Sequence, residues 1–103
     1  MVDLKELQKK VYENKINKGF NVTDISKEFC LAYGEMAEAY DAYRKKKSDL
    51  GEELADVVIY LLGISEILGI DLEKEILYKI NKNIHREYKI INGVNTHVKE
   101  YEE

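Results

Sequence analysis

The segment "EELADVVIYLL", residues 52–62, constrains the fold more than any other stretch of this chain. Read as a helix, it is apolar on most sides between Val57 and Leu62, so it belongs at the centre of a packed assembly of helices. Glu53 lies in line with Val57, Tyr60 and Ile64, at spacings of four, seven and eleven residues, where a core-facing stripe belongs. Asp56 sits at the edge of the same stripe. An isolated ionised carboxylate in a core costs several kcal/mol or more, so such acids must be protonated, paired with a base or bound to a cation. The positions one turn away on the same helix hold Asp49, Glu52, Gly51, Val57, Ile59 and Tyr60, none of them basic. An ion pair within the helix is excluded, and the partner comes from elsewhere.

The remaining periodicity supplies three more helices. Leu4, Leu7 and Val11 have helical spacing in residues 2–15, and Gly19 in "NKGFN" ends that run. Residues 23–46 place Ile25, Phe29, Ala32, Met36, Ala39 and Tyr43 in alternating steps of four and three, the seam of a packed helix. "RKKKSDLG" reads as a turn, with a basic helix end and Ser48 as N-cap of the central helix, residues 49–68. "LGID" stops that helix, with Gly69 at C′ and Asp71 capping a fourth helix that carries Leu72, Ile76, Ile80 and Ile84 and ends near residue 88. Asn92-Gly93 in "YKIINGVNTHV" suits a hairpin, and a frayed tail fits equally well. With no proline anywhere, nothing interrupts long helices. The expected fold is therefore all-α, a four-helix bundle over residues 1–88, with residues 89–103 as a tail or short hairpin. So small a bundle, with one helix apolar nearly all round, is expected to be completed by oligomerisation.

Composition narrows the function classes. At 103 residues and a formal charge of −4, the chain has room for one small domain and a poor charge for gripping duplex phosphates. No binding to nucleic acid is expected. The single cysteine, Cys30, excludes an internal disulfide and fits a reducing compartment; it reads as a buried small apolar residue. The apolar run 57–68 is too short for a membrane span and is broken by Ser65 and Glu66, and no signal peptide opens the chain. A soluble cytoplasmic protein without a membrane role is the expectation. His85 and His97 read as surface residues.

A second acidic pair makes the first more telling. "GEMAEAYDAY" sets Glu35 and Glu38 one turn apart beside the second helix's seam, among the small residues Gly34, Ala37, Ala39 and Ala42. Two antiparallel helices, each with an acid pair at i, i+3, can bring four carboxylates together. Oxygen donors without histidine or thiolate suit a hard divalent cation, Mg²⁺ or Mn²⁺. The spacing alone is weak, since Asp3/Glu6, Glu38/Asp41 and Glu100/Glu103 share it. A ferritin-like di-iron site is excluded, because Lys82 and Val94, not acids, stand three residues before His85 and His97. There is no Walker-type glycine loop and no zinc-ligand spacing.

Together, "GEMAEA", the fourteen residues between Glu38 and Glu53, "EELADVVIYLL" and "GIDLE" resemble the MazG-like, all-α nucleoside triphosphate pyrophosphohydrolases over roughly residues 20–88. That family's signature is E-x-x-E, a variable spacer and E-x-x-D. Its "SEVSEA" form aligns with Glu35 first. The resemblance implies a helical bundle, dimeric or tetrameric, that cuts (deoxy)nucleoside triphosphates to monophosphate and pyrophosphate with Mg²⁺. It implies Glu35, Glu38, Glu53 and Asp56 as catalytic metal ligands, and Lys79, Asn83 and Arg86, at i, i+4 and i+7 of the fourth helix, as nucleotide contacts. Such a carboxylate cluster neutralises the triphosphate and orients a metal-activated water for in-line attack on phosphorus. One of the four acids, or Asp41 one turn beyond Glu38, takes the water's proton. Tyr33, Tyr40 and Tyr43 are open candidates for stacking on a base. The alternatives are a non-catalytic helical oligomerisation or adaptor module, and a related dUTPase or phosphoribosyl-ATP pyrophosphohydrolase.

Overall fold

The computed structural model describes residues 1–91 and 93–99. Among them run four helices, α1 (Leu4–Asn17), α2 (Ile25–Arg44), α3 (Leu50–Ile67) and α4 (Leu72–His85), followed by strands β1 (Glu87–Ile91) and β2 (Val94–Lys99). The architecture is all-α with a two-stranded ladder after α4. The chain divides into two compact units, Met1–Leu72 and Glu73–Glu103.

In the first unit α3 is central and packs against both α1 and α2. Its buried stripe holds Val57, Leu62, Gly63, Ile64 and Ser65, which agrees with the hydropathy of residues 57–62. At Gly63 the α1 side chains pack directly on α3: a Cβ there would stand 3.4 Å from Val11 Cγ1 and 3.5 Å from Lys15 Cδ. Leu54, Val58 and Leu61 occupy the opposite face of α3 and are exposed.

The orientation of α2 differs from the seam drawn through Phe29, Met36 and Tyr43. Those three are exposed, and the buried residues are Glu28, Ala32, Ala39 and Ala42, with Glu35 half-buried in the same line. The reason is close approach. Alanines let the α2 backbone come near α3, and Glu28 is tolerated inside because α1 offers a cation for it. Cys30 is correspondingly exposed, not buried, since the rotation turns it outward.

Helix ends follow local chemistry. Asp3 accepts from Lys5 N at 3.0 Å and Glu6 N at 3.3 Å, and Asp24 accepts from Lys27 N at 3.1 Å. The N-cap of α3 is Asp49 rather than Ser48, and its side chain makes no capping bond. At the other ends, Phe20 N bonds Lys15 O, Lys47 N bonds Ala42 O and Ile70 N bonds Ser65 O, the 6→1 bonds of Schellman turns. Two of these place glycine in the left-handed region, Gly19 (φ 69°) and Gly69 (φ 71°), but α2 places Lys46 there (φ 56°).

The turn after α3 is fastened by buried Gln8 of α1. Its amide donates to Ile70 O at 2.9 Å and Glu66 Oε1 at 3.2 Å, and its carbonyl accepts from Leu72 N at 3.0 Å. Lys5 adds an ion pair to Asp71 at 3.2 Å.

In the second unit α4 stops at His85, earlier than residue 88, because Glu87–Ile91 pairs antiparallel with Val94–Lys99. Extended pairing there outcompetes another helical turn for a β-prone sequence. Ile91 partners Val94, and Gly93 adopts φ 78°, a conformation suited to a two-residue connection. Asn92 and the Glu100/Glu103 pair lie outside the described residues.

Candidate metal centre

Glu35 and Glu38 stand one turn apart on α2, and Glu53 opens the buried stripe of α3. Because α2 and α3 pack directly, these three acids meet: each offers a carboxylate oxygen, and the three oxygens lie within 4.8 Å of one another. Glu35 and Glu53 are half-buried and Glu38 is exposed, so the cluster has an inner wall and an open side. Asp56 is exposed and outside this triplet, though its charge acts on both Glu35 and Glu53.

The electrostatics are those of an unbalanced site. Burial pushes the Glu35 carboxyl up, aided by the charge of Glu38, a hydrogen bond to Glu38, and the charges of Asp56 and Glu53. Glu53 is also raised, first by burial, then by Glu38, Asp49 and Asp56, with Lys47 opposing. Glu35 Oε2 and Glu53 Oε2 are buried without a hydrogen-bond partner, as is Asp49 Oδ1 at the head of α3. Buried polar atoms are rarely left so, and each calls for an explanation.

A hard divalent cation would answer the convergence of charge and two of the three orphaned oxygens. The donors are all oxygens, three anionic groups converge, and two of the orphaned atoms belong to the convergent acids. The three oxygens lie within 4.8 Å of one another, near enough for side-chain rotation to bring them onto one ion. Glu35, Glu38 and Glu53 therefore fit such an ion, with Asp56 beside them.

The other acids have different employment. Asp41 is bonded to Arg44 Nη2 at 3.1 Å and Lys45 Nζ at 2.9 Å, and these hydrogen bonds hold its carboxyl below the usual range. Glu28 forms a buried ion pair with Lys15. Sequence reading passed over that pair, and over Asp49, although both left a trace: Glu28 precedes Glu35 by seven residues and Asp49 precedes Glu53 by four, each on the same helix face.

The nucleotide-contact candidates belong to the second unit. Lys79 and Asn83 are exposed on α4, one turn apart. Arg86 follows the helix's last residue, its N–H held to Asn83 O at 3.4 Å, so the three do not form one continuous helical face. His85 is exposed, with Nδ1 2.8 Å from Asn81 O. Tyr33, Tyr40 and Tyr43 are all exposed on α2, and Arg44 lies 5.8 Å over the Tyr40 ring.

Among the described residues no helix is long and apolar enough to cross a membrane. No curated protein and no solved structure matches the chain. A family model described as "MazG-like family" matches residues 27–103, which takes in both acidic pairs, α4 and the ladder. An all-α fold that brings an E-x-x-E helix and an E-x-x-D helix together, under a match covering most of its length, belongs to the MazG-like family.

Proposed function

We propose that this protein hydrolyses nucleoside or deoxynucleoside triphosphates to the monophosphate and pyrophosphate, with Mg²⁺ as the working ion and Mn²⁺ as a substitute. The observation that carries the reading is the pair of buried, unpartnered oxygens on Glu35 and Glu53 inside a three-carboxylate cluster. A structural cluster would cost stability and return nothing. A cluster that takes up a cation is relieved of its repulsion when it does so.

Glu35, Glu38 and Glu53 would hold the ion, with Asp56 as the fourth acid. When bound, the ion supplies charge neutralisation for the triphosphate and polarisation of a water. The chain's own part is positioning and proton transfer. Water adds to one of the two phosphorus atoms flanking the α–β bridge, that atom's bond to the bridging oxygen breaks, and monophosphate and pyrophosphate separate. The released proton passes to one of the four acids that the ion does not engage. Lys79 and Arg86 are assigned to phosphate oxygens, Lys as a point charge and Arg as a fork, and Asn83 to sugar or base. No nucleophilic Ser or Cys is required.

A second copy of the chain is proposed to complete the fold as a dimer or tetramer. Exposed Leu54, Val58 and Leu61 on α3, with Phe29 and Met36 on α2, support that. The protein is assigned to the cytoplasm, with nucleotides rather than nucleic acid as partners.

The test is a panel of nucleoside triphosphates, with dUTP and phosphoribosyl-ATP included, incubated with Mg²⁺ and followed for pyrophosphate. Release of pyrophosphate and monophosphate by the wild type, lost in Glu53→Gln, is expected. Silence across the panel with both Mg²⁺ and Mn²⁺ overturns the reading.

A further inference from the structure

Four polar groups converge between α1, α2 and α3 without taking part in the acidic cluster. Lys15 and Glu28 form an ion pair whose side chains are 11% and 1% exposed. The second oxygen of Glu28 accepts from Asn21 Nδ2 at 3.0 Å. Asn21 is itself fixed: its amide reaches Asp24 O at 2.9 Å, and its carbonyl accepts from Asp24 N at 3.1 Å. The ammonium of Lys15 also lies 5.4 Å over the ring of Tyr60, within cation–π range.

Such a buried pair is a poor means of stabilising a fold. Two charges must be desolvated, and well-packed apolar residues of the same volume usually do as well or better. What the arrangement does achieve is a fixed ring. Tyr60 has two sides of interest. It lines a cavity of about 330 Å³ between α1 and α3, together with Lys10, Asn14, Lys15, Phe20 and Ile59. Its phenol also feels the charges of Glu35, Asp56 and Glu38, which, behind burial and together with Glu28, push it above the ordinary tyrosine range. The ring thus lines the cavity from a position one turn beyond Asp56 on α3. The cavity is large enough for a small organic ligand, and its lining is mostly apolar with a few polar groups.

We infer that Lys15, clamped by Glu28, is a positioning residue: it holds the Tyr60 ring on the wall of the cavity, one turn from Asp56, and so sets affinity for the organic part of a nucleotide without acting on its phosphates. This rests on the pyrophosphohydrolase reading given above. Gly63 is what lets it happen, because the Lys15 stem runs across α3 where a side chain is missing. The Schellman turn at Lys15–Phe20 carries the same α1 end directly to Phe20 on the cavity's rim.

The experiment compares full-length wild type, Lys15→Met and the double variant Lys15→Met/Glu28→Gln. The double variant replaces both charges by neutral groups of similar shape, so no charge is stranded in the core and folding is preserved. Two affinities are measured in Mg²⁺: KM for the best nucleoside triphosphate, and the inhibition constant of inorganic tripolyphosphate, which has the phosphates but no organic part. The double variant is expected to raise KM about two- to tenfold, because binding must then order a ring that Lys15 no longer holds, with kcat within about twofold. Tripolyphosphate inhibition should stay as in the wild type. An unchanged KM overturns the inference, as does an equal weakening of both ligands, which is the mark of a general loosening. A wild type that neither hydrolyses nor binds any nucleotide overturns the function reading itself, and this inference with it.

Discussion

Removing the divalent cation and adding it back should change the melting temperature of this protein strongly, and through three named residues. The oxygens of Glu35, Glu38 and Glu53 already lie within 4.8 Å, and two buried oxygens have no donor. The folded chain thus presents a site that the unfolded chain does not. For one site at a hundredfold excess of ion over Kd, the linkage stabilisation is about 2.7 kcal/mol. A domain of this size shifts its melting temperature by roughly 4–8 °C per kcal/mol, so saturating Mg²⁺ should add about 10–20 °C. The assay is thermal unfolding by circular dichroism after chelation, with Mg²⁺ or Mn²⁺ titrated back, in the wild type and in Glu53→Gln. In the variant the metal-dependent rise should collapse, while the metal-free protein melts higher than metal-free wild type, since one member of a repulsive, partly buried set has been neutralised. Equal metal shifts in both proteins, or none in either, would refute the cage.

The same cluster fixes a pH dependence. In the metal-free protein Glu35 and Glu53 bind protons more tightly folded than unfolded, so their contribution to stability is present at acid pH. It is lost as pH rises from the ordinary glutamate range through their raised values. The wild type should therefore gain stability relative to Glu35→Gln/Glu53→Gln on acidification through that window, a comparison in which the opposite trend of Asp41 cancels; a flat difference refutes it. Gln8→Ala strands Ile70 O and Leu72 N beneath α1 and should cost about 2–3 kcal/mol in chemical denaturation, with unchanged stability as the failing result. Lys46→Gly relieves a left-handed, non-glycine residue at the end of α2 and should stabilise by about 0.5–1 kcal/mol, whereas destabilisation would show that Lys46 contributes through its side chain.

Much of this protein follows from local pattern. Four helices, their rough limits and the central place of the third come from apolar spacing and the absence of proline, because a helix's buried stripe repeats every three to four residues whatever its neighbours are. The acidic pairs were legible for the same reason: Glu53 sits on a stripe where carboxylates are costly, so the sequence itself marks it as unusual. Periodicity does not say by how many degrees a helix is turned against its neighbour. On α2 the expected seam ran through Ile25, Phe29, Ala32, Met36, Ala39 and Tyr43. The face that packs keeps Ala32 and Ala39 but takes Glu28, Glu35 and Ala42 in place of Phe29, Met36 and Tyr43. Only tertiary contact could decide that, since Glu28 is acceptable inside because Lys15, thirteen residues away on another helix, and Asn21 meet its two oxygens there. The end of α4 was settled in the same way, by strand pairing between Glu87–Ile91 and Val94–Lys99 that no helical pattern announces. The sequence alone determined which residues are chemically unusual. The tertiary structure decided which of them meet, because partners distant in the chain are what make a buried charge affordable.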